Sequence, residues 1–128
     1  MRQIRKQDGT AIAIQTDIKQ WKAVQALFDF TESELGGVDL AVLNAGVSLD
    51  HNTVEDSDMA AWEETLHTNL LGTYYCAKAA IPTMKKQGGG KIVTIGSGMG
   101  HKGSVGVRHI AVFKGGAVDA HPHSRAGT

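Results

Sequence analysis

The sequence predicts an α/β domain whose strands pair in parallel. Three short apolar runs, at residues 11–16, 38–43 and 91–95, have the length and composition of buried strands. They are separated by helical patterns of roughly 10 to 17 residues, an alternation typical of parallel βαβ units. At 128 residues, 41% of them hydrophobic, the chain accounts for one domain at most.

The first elements are a helix end, a strand and an amphipathic helix. Residues 1–8 have the pattern of a helix end with Gly9 as its C-terminal cap, and the first strand follows at residues 11–16. The next helix is predicted over residues 17–35, because its apolar residues recur close to the 3.6-residue period and Gly36-Gly37 ends the pattern. These apolar residues are Trp21, Val24, Leu27, Phe28 and Leu35.

Two helices connect the second and third predicted strands. After the strand at residues 38–43 and a polar stretch, a short helix is predicted over residues 58–67. A longer helix is predicted over residues 69–86, with a bend at Pro82. Gly88-Gly89-Gly90 then makes the turn into the third strand.

Composition narrows the functional class. Thirteen basic and thirteen acidic residues give no net charge, so the chain has no electrostatic footprint for nucleic acid or an anionic membrane. Cys76 is the single cysteine, which cannot form an internal disulfide and suits a reducing compartment. No run of about 18 apolar residues and no signal-peptide pattern occurs. We therefore predict a cytoplasmic protein.

The most informative motif is Asn44-Ala45-Gly46, directly behind the strand at residues 38–43. Open α/β sheets bind ligands at the carboxyl ends of their strands, where small residues let a ligand approach the backbone. Three further landmarks follow: Asn69, Ser97 behind the next strand, and Lys114. In this order and at these spacings, they resemble the central part of the short-chain dehydrogenase/reductase family, over about residues 2–119.

The resemblance implies a partial Rossmann-like fold: a doubly wound parallel sheet that holds family strands three to five with flanking helices. It assigns residues 1–119 to a partial dinucleotide-binding domain, and we predict a disordered tail at residues 120–128. In the strand order 3-2-1-4-5-6, a gap two strand widths across, about 10 Å, would separate residues 11–16 from residues 38–43. We therefore expect a new pairing, a partner-filled gap or partial unfolding.

The resemblance also implies site residues. For catalysis, Asn69 would anchor a relay water, Ser97 would orient the substrate oxygen and Lys114 would hold the nicotinamide ribose. The cofactor would be NAD or NADP. Its contacts would come from Asp17, Ile18, Asn44, Ala45, Gly46 and Lys114.

Two of these residues have a structural alternative. Asp17 with Gln20 fits a helix capping box, whereas the family aspartate at this position contacts adenine. Asn69 fits a helix N-cap, whereas the family asparagine disturbs its helix locally. For both residues the sequence leaves the two interpretations open.

The chain departs from the family pattern at the catalytic tyrosine. Ile110 stands at that position, four residues before Lys114 and thirteen after Ser97. In the family the lysine lowers the pKa of the tyrosine from about 10 so that it works as an acid and base, and isoleucine has no proton to exchange. The family's glycine-rich phosphate loop is also absent before residues 11–16. The parent chemistry is hydride transfer between NAD(P) and an alcohol or ketone, and we predict a truncated, inactive form that binds cofactor weakly.

A non-catalytic binding or dimerisation module is the alternative function. The helix that begins near Asn69 resembles the one that the family uses for subunit pairing. We therefore expect a homo-oligomer or a partner chain on this helix, with neither nucleic acid nor a membrane as partner.

Two patterns imitate other sites. Gly98, Gly100 and Gly103 spell a dinucleotide fingerprint with Asp119 downstream, but no good helix pattern starts after them. The six histidines lack the spacing of a metal site, so no metal ligands are predicted. His109 neighbours Ile110 but points about 100° away along a helix, so it does not replace the tyrosine.

Overall fold

A two-stranded parallel sheet is the centre of the structure, a computed structural model that describes residues 2–97. Strand β1 spans Leu40–Leu43 and strand β2 spans Lys91–Thr94. They pair in parallel with Leu40 opposite Lys91 and Leu43 opposite Thr94. The predicted parallel α/β architecture is therefore confirmed, with both strands shorter than their apolar runs.

Within residues 2–97, helices α1 to α4 and one π-helical segment make up the rest of the regular structure. Helix α1 spans Arg2–Arg5 and helix α2 spans Trp21–Leu35. Helix α3 (Met59–Leu66), a π-helical segment (His67–Gly72) and helix α4 (Thr73–Lys86) follow one another without a break. Pro82 lies inside α4. None of the described helices is long and apolar enough to cross a membrane.

The strand predicted at residues 11–16 is wrong: these residues form no strand. Within the described part of the chain, β1 pairs with β2 alone, so residues 11–16 do not pair with β1. A β-prone sequence becomes a strand only where a neighbouring strand and a packed face receive it. Here Ile12 is 44% exposed and Ile14 is 42% exposed.

The interpretation of Asp17 and Gln20 as a capping box at the start of α2 is also wrong. The Asp17 carboxylate accepts the backbone N–H of Lys19 at 3.0 Å, and the Gln20 N–H donates to the Asp17 carbonyl at 3.1 Å. This local turn ends before the helix, which begins at Trp21 without a side-chain cap. An aspartate that bonds the amide two residues on competes with helix formation, which explains the later start.

The glycine that ends α2 behaves as predicted. Gly36 adopts a left-handed conformation at φ 85° and donates its N–H to the Glu32 carbonyl at 3.0 Å, as in the usual helix C-terminal cap. At the end of α1, Asp8 rather than Gly9 holds the left-handed conformation, at φ 58°. Gly9 instead closes this turn by donating its N–H to the Ile4 carbonyl at 3.0 Å.

The core lies between the sheet and helices α2 and α4. Its buried residues are Val38, Ala41, Ala80 and Met84, against which Phe28, Leu43 and Ile92 pack. Because side chains alternate along a strand, the neighbouring residues of both strands point to the opposite face. There, four side chains are 41–55% exposed: Leu40, Val42, Val93 and Ile95. The described helices therefore cover one face of the sheet.

Gln87 fixes the start of β1 to the end of α4. Its side-chain Oε1 accepts the Val38 N–H at 3.0 Å, and its Nε2 donates to the Val38 carbonyl at 3.0 Å. The amide thus pairs with both main-chain groups of a buried residue, as a neighbouring strand would. The same Nε2 also approaches Asp39 Oδ1 and the Gly89 carbonyl, each at 3.1 Å.

Replacing Gln87 by leucine should lower the free energy of unfolding by about 1–3 kcal/mol, because the polar groups of Val38 would lose their partners. The measurement is the urea midpoint. Gln25→Leu on the exposed face of α2 is the control and should change stability by less than about 0.5 kcal/mol. Equal effects of the two substitutions would contradict this role for Gln87.

Candidate functional site

The loop that follows β1 is held by the side chain of Asn69. The Val47 N–H donates to Asn69 Oδ1 at 2.7 Å, and Asn69 Nδ2 donates to the Val47 carbonyl at 2.8 Å. Asn69 is only 6% exposed, so this two-point pairing is shielded from water. It fixes the chain directly after the exposed residues Asn44-Ala45-Gly46.

Asn69 lies within the π-helical segment, four residues before α4 begins. The interpretation of Asn69 as a helix N-cap is therefore wrong. The local helix disturbance implied by the family resemblance is present, since π-helical turns insert into α-helices and recur at functional sites. The Asn69 carbonyl accepts the Thr73 hydroxyl at 2.8 Å. Its role in holding a relay water stays a prediction.

The turn at Asp17 and Ile18 is anchored to the same helical segment. The Lys19 ammonium forms an ion pair with the Glu64 carboxylate of α3 and lies 3.9 Å from Asp17 Oδ2. The hydrogen bond to Glu64 raises the pKa of Lys19. Gly72 lies so close to Ile18 that a Cβ atom on it would be 2.6 Å from Ile18 Cδ1. The absence of a side chain at residue 72 therefore permits this contact.

One cleft brings part of the predicted cofactor site together. Ile18, Asn44 and Ala45 line it, with Leu43 at the end of β1. Cys76 of α4 lies in its wall, and burial raises the pKa of the Cys76 thiol. The arrangement has small and apolar groups at the carboxyl end of a parallel strand, where ligands of open α/β sheets bind.

Asp17 and Gly46 are the sequence neighbours of the lining residues Ile18 and Ala45 but do not line the cleft themselves. The Asp17 side chain is 50% exposed, and Gly46 is exposed. Ser97 is half-buried and follows β2 three residues after Thr94. Because β1 and β2 are parallel, Asn44 and Ser97 both lie beyond the carboxyl ends of the strands, on the same side of the sheet.

The remaining predicted groups lie outside the described residues. These are Lys114, the isoleucine at the tyrosine position, the glycine fingerprint and its aspartate, and the tail at residues 120–128. Over residues 2–97, no cluster of three or more histidine, cysteine, aspartate or glutamate side chains could hold a metal ion.

Sequence reasoning missed Asp50, which organises the loop that follows the two hydrogen bonds between Asn69 and Val47 (the Asn69 clamp). This carboxylate is 6% exposed. Its Oδ1 accepts the Asn52 N–H at 2.9 Å and its Oδ2 accepts the Asp58 N–H at 2.8 Å. Asp58 in turn caps α3 by accepting the Ala60 N–H at 2.8 Å. In the sequence Asp50 lies in a polar stretch, and nothing in that pattern separates it from solvated loop residues.

The Asn69 clamp gives a testable prediction. Asn69→Ala should lower the free energy of unfolding by about 1–3 kcal/mol, because the Val47 N–H and carbonyl would lose their partners. It should also accelerate hydrogen exchange at the Val47 amide. Asn52→Ala, in the exposed part of the loop, is the control. Unchanged exchange at Val47 in Asn69→Ala would contradict the clamp.

Asn69→Asp extends this test to pH. The carboxylate would still accept the Val47 N–H but would face the Val47 carbonyl, which raises the pKa of the introduced group above about 3.9. A group with a raised pKa in the folded state gains stability as pH falls. Relative to the original chain at each pH, Asn69→Asp should therefore recover stability on acidification from pH 7 to pH 4, as chemical denaturation can measure.

Comparison with known proteins identifies the family of this chain. The model of the family described as short chain dehydrogenase matches residues 1–119. A 3-oxoacyl-[acyl-carrier-protein] reductase of Mus musculus is 40% identical over 112 residues, which cover 86% of this chain and 46% of the relative. A probable short-chain type dehydrogenase/reductase of Bradyrhizobium diazoefficiens is 42% identical over 98 residues, or 73% of this chain and 34% of the relative.

Solved structures show the same relationship. A 7 alpha-hydroxysteroid dehydrogenase in complex with NADH and 7-oxo glycochenodeoxycholic acid matches with a TM-score of 0.81 and 32% identity, over 91% of this chain and 45% of that one. An NAD+-bound xylitol dehydrogenase matches with a TM-score of 0.83 and 26% identity, over 87% and 43% of the two chains. The chain thus spans less than half the length of these relatives. It belongs to the short-chain dehydrogenase/reductase family.

Proposed function

We propose that this chain carries part of the cofactor site of an oxidoreductase that transfers hydride between NAD or NADP and an alcohol or ketone. The observation that supports it is the cleft shared by Ile18, Asn44 and Ala45, with the adjoining loop fixed by Asn69. A scaffold for dinucleotide binding needs small, fixed backbone at the carboxyl end of a strand. This arrangement meets that requirement.

The residues present fit the two ends of a nicotinamide dinucleotide. Asp17, whose carboxylate is half-exposed, and the neighbouring Ile18 would meet the adenine. Asn44, Ala45 and Gly46 are exposed and small enough for close approach along the backbone. The cofactor would supply the hydride acceptor or donor. No Gly-x-Gly-x-x-Gly pattern for the pyrophosphate occurs within residues 2–97, so weak binding is part of the proposal.

Ile110 is the reason for proposing that the 128-residue chain is inactive. Ser97 would orient the substrate oxygen, Asn69 would hold the relay water and Lys114 would bind the ribose. No group at residue 110 can give or take the proton of the alcohol, since isoleucine has none. A positioned acid or base typically contributes about 10²–10⁴-fold to the rate. We propose cytoplasmic residence as well, supported by the single free cysteine, Cys76.

The purified chain should show no saturable, cofactor-linked turnover with a panel of alcohols and ketones, followed by NADH and NADPH fluorescence. Ile110→Tyr alone should not restore turnover, because the cofactor would still bind weakly. An intact family member run in parallel is the positive control. Robust turnover by the unmodified chain would overturn the proposed inactivity, and turnover by Ile110→Tyr alone would overturn the proposed weakness of binding.

A non-catalytic dimerisation module is the second candidate. The observation in its favour is the outer face of the helical stretch at residues 67–86, opposite its buried residues. Four large side chains on it are 37–53% exposed: Leu70, Leu71, Tyr74 and Ile81. An exposed apolar stripe of this kind marks a protein–protein interface more often than an isolated apolar residue does. A second copy or a partner chain would pack against it.

If this face pairs with a partner, Tyr74→Lys should lower the associated fraction in sedimentation velocity. Leu35→Lys is a matched control at the end of α2, because Leu35 is 52% exposed and Tyr74 is 53% exposed. The control should leave the distribution unchanged. A distribution that Tyr74→Lys leaves unaltered would exclude this face as the dimerisation surface, whatever the outcome of the turnover assay.

A further inference from the structure

Strand β1 has one edge that the described residues leave without a neighbouring strand. On the β2 side, the Lys91 N–H donates to the Asp39 carbonyl at 2.9 Å, and the Ile95 N–H donates to the Leu43 carbonyl at 3.1 Å. Backbone groups alternate in direction along a strand, so those of Leu40 and Val42 point to the other edge. An open edge of this kind is a template on which another chain can add a strand.

An apolar cleft runs along the same edge. All four residues of β1 line it, together with Ile18, Leu27 and Phe28 from the turn before α2 and from α2 itself. No residue of β2 takes part. The cleft therefore lies on the side of β1 that faces away from β2, where an added strand would bury apolar side chains as well as pair its backbone.

The chain carries a segment that suits this edge. Residues 12–15 (Ile-Ala-Ile-Gln) are exposed, belong to neither strand and match the four-residue length of β1. Both isoleucines are β-branched, which favours strands. Neither these residues nor residues 40–43 include a charge or a proline, the two devices with which proteins commonly keep strand edges apart.

We propose that residues 12–15 of one copy pair with the open edge of β1 in a second copy. Within one chain, the end of this segment is anchored by the Ile18 contact with Gly72 and by the Lys19–Glu64 ion pair, and the segment does not enter its own sheet. A reciprocal exchange about a two-fold axis satisfies both edges and closes the assembly as a dimer. This surface is distinct from the outer face of α4. It shares its cleft with the candidate cofactor residues Asn44 and Ala45, which lie beyond the end of β1.

Val42→Pro tests the edge directly. Proline removes the Val42 N–H, which points away from β2, and leaves the β1–β2 hydrogen bonds intact. Sedimentation equilibrium of the 128-residue chain should give a dimer, and Val42→Pro should shift it to monomer with an unchanged far-ultraviolet spectrum. Val93→Lys is the control for the exposed sheet face, since Val93 is 43% exposed but lies on β2. It should leave the dimer in place.

Ile14→Lys supplies a second variant in case Val42→Pro fails to fold. It alters the inserted segment rather than the sheet and should also give monomers, whereas Leu49→Lys, at a comparably exposed loop residue, should not. A monomeric unmodified chain would overturn the proposal. So would a dimer that survives Ile14→Lys, or one that only Val93→Lys or Tyr74→Lys dissociates, since the sheet face or α4 would then form the interface.

A mixing experiment identifies the occupant. Copies with Ala13→Cys and copies with Val42→Cys, joined by a short thiol cross-linker, should form mixed dimers only when both are present. The unmodified chain, whose Cys76 is buried, measures the background. Cross-linking within one chain in a double variant, without mixed dimers, would mean that the segment folds onto its own sheet and would overturn the exchange.

Discussion

Two side-chain amides on one continuous helical stretch set the position of β1, and most of the remaining structure depends on them. Gln87 pairs with both main-chain groups of Val38, and Asn69 does the same for Val47. The two amides therefore fix both ends of the segment that contains β1 to one helical stretch, with the core residues Ala41, Ala80 and Met84 between them.

The helical stretch at residues 67–86 also contacts the segments that carry the candidate cofactor residues. Its π-helical turn places the Asn69 side chain against the loop after β1, and the lack of a side chain at Gly72 lets Ile18 pack against the helix. Ile18 and Asn44, which are 26 residues apart in the sequence, thus meet at one cleft. These contacts are made by residues 18–76 and do not involve Ile110, which we propose to stand at the position of the family's catalytic tyrosine.

Within the described residues, helices cover one face of the sheet and leave the other face exposed to solvent. One face is packed by α2 and α4, while Leu40, Val42, Val93 and Ile95 are exposed on the other face within residues 2–97. The described residues also leave the second edge of β1 open. Apolar surface and unpaired backbone in one place favour association. Within residues 2–97, the sheet therefore lacks the contacts that a full doubly wound sheet makes on its second face and at this edge.

The sequence by itself determined the parallel α/β pairing, the two strands, the cap at Gly36 and the family, because these depend on local periodicity, turn chemistry and motif spacing. Only the tertiary structure decided the state of residues 11–16, the start of α2 at Trp21 and the placement of Asn69 in a π-helical turn. It also showed that Gln87 holds the backbone of Val38 and that Asp50 holds the backbone of its own loop. A strand forms only beside a neighbouring strand, and a side-chain amide or carboxylate holds backbone only where the fold brings that backbone to it. The spacing of residues along the chain encodes neither of these contacts.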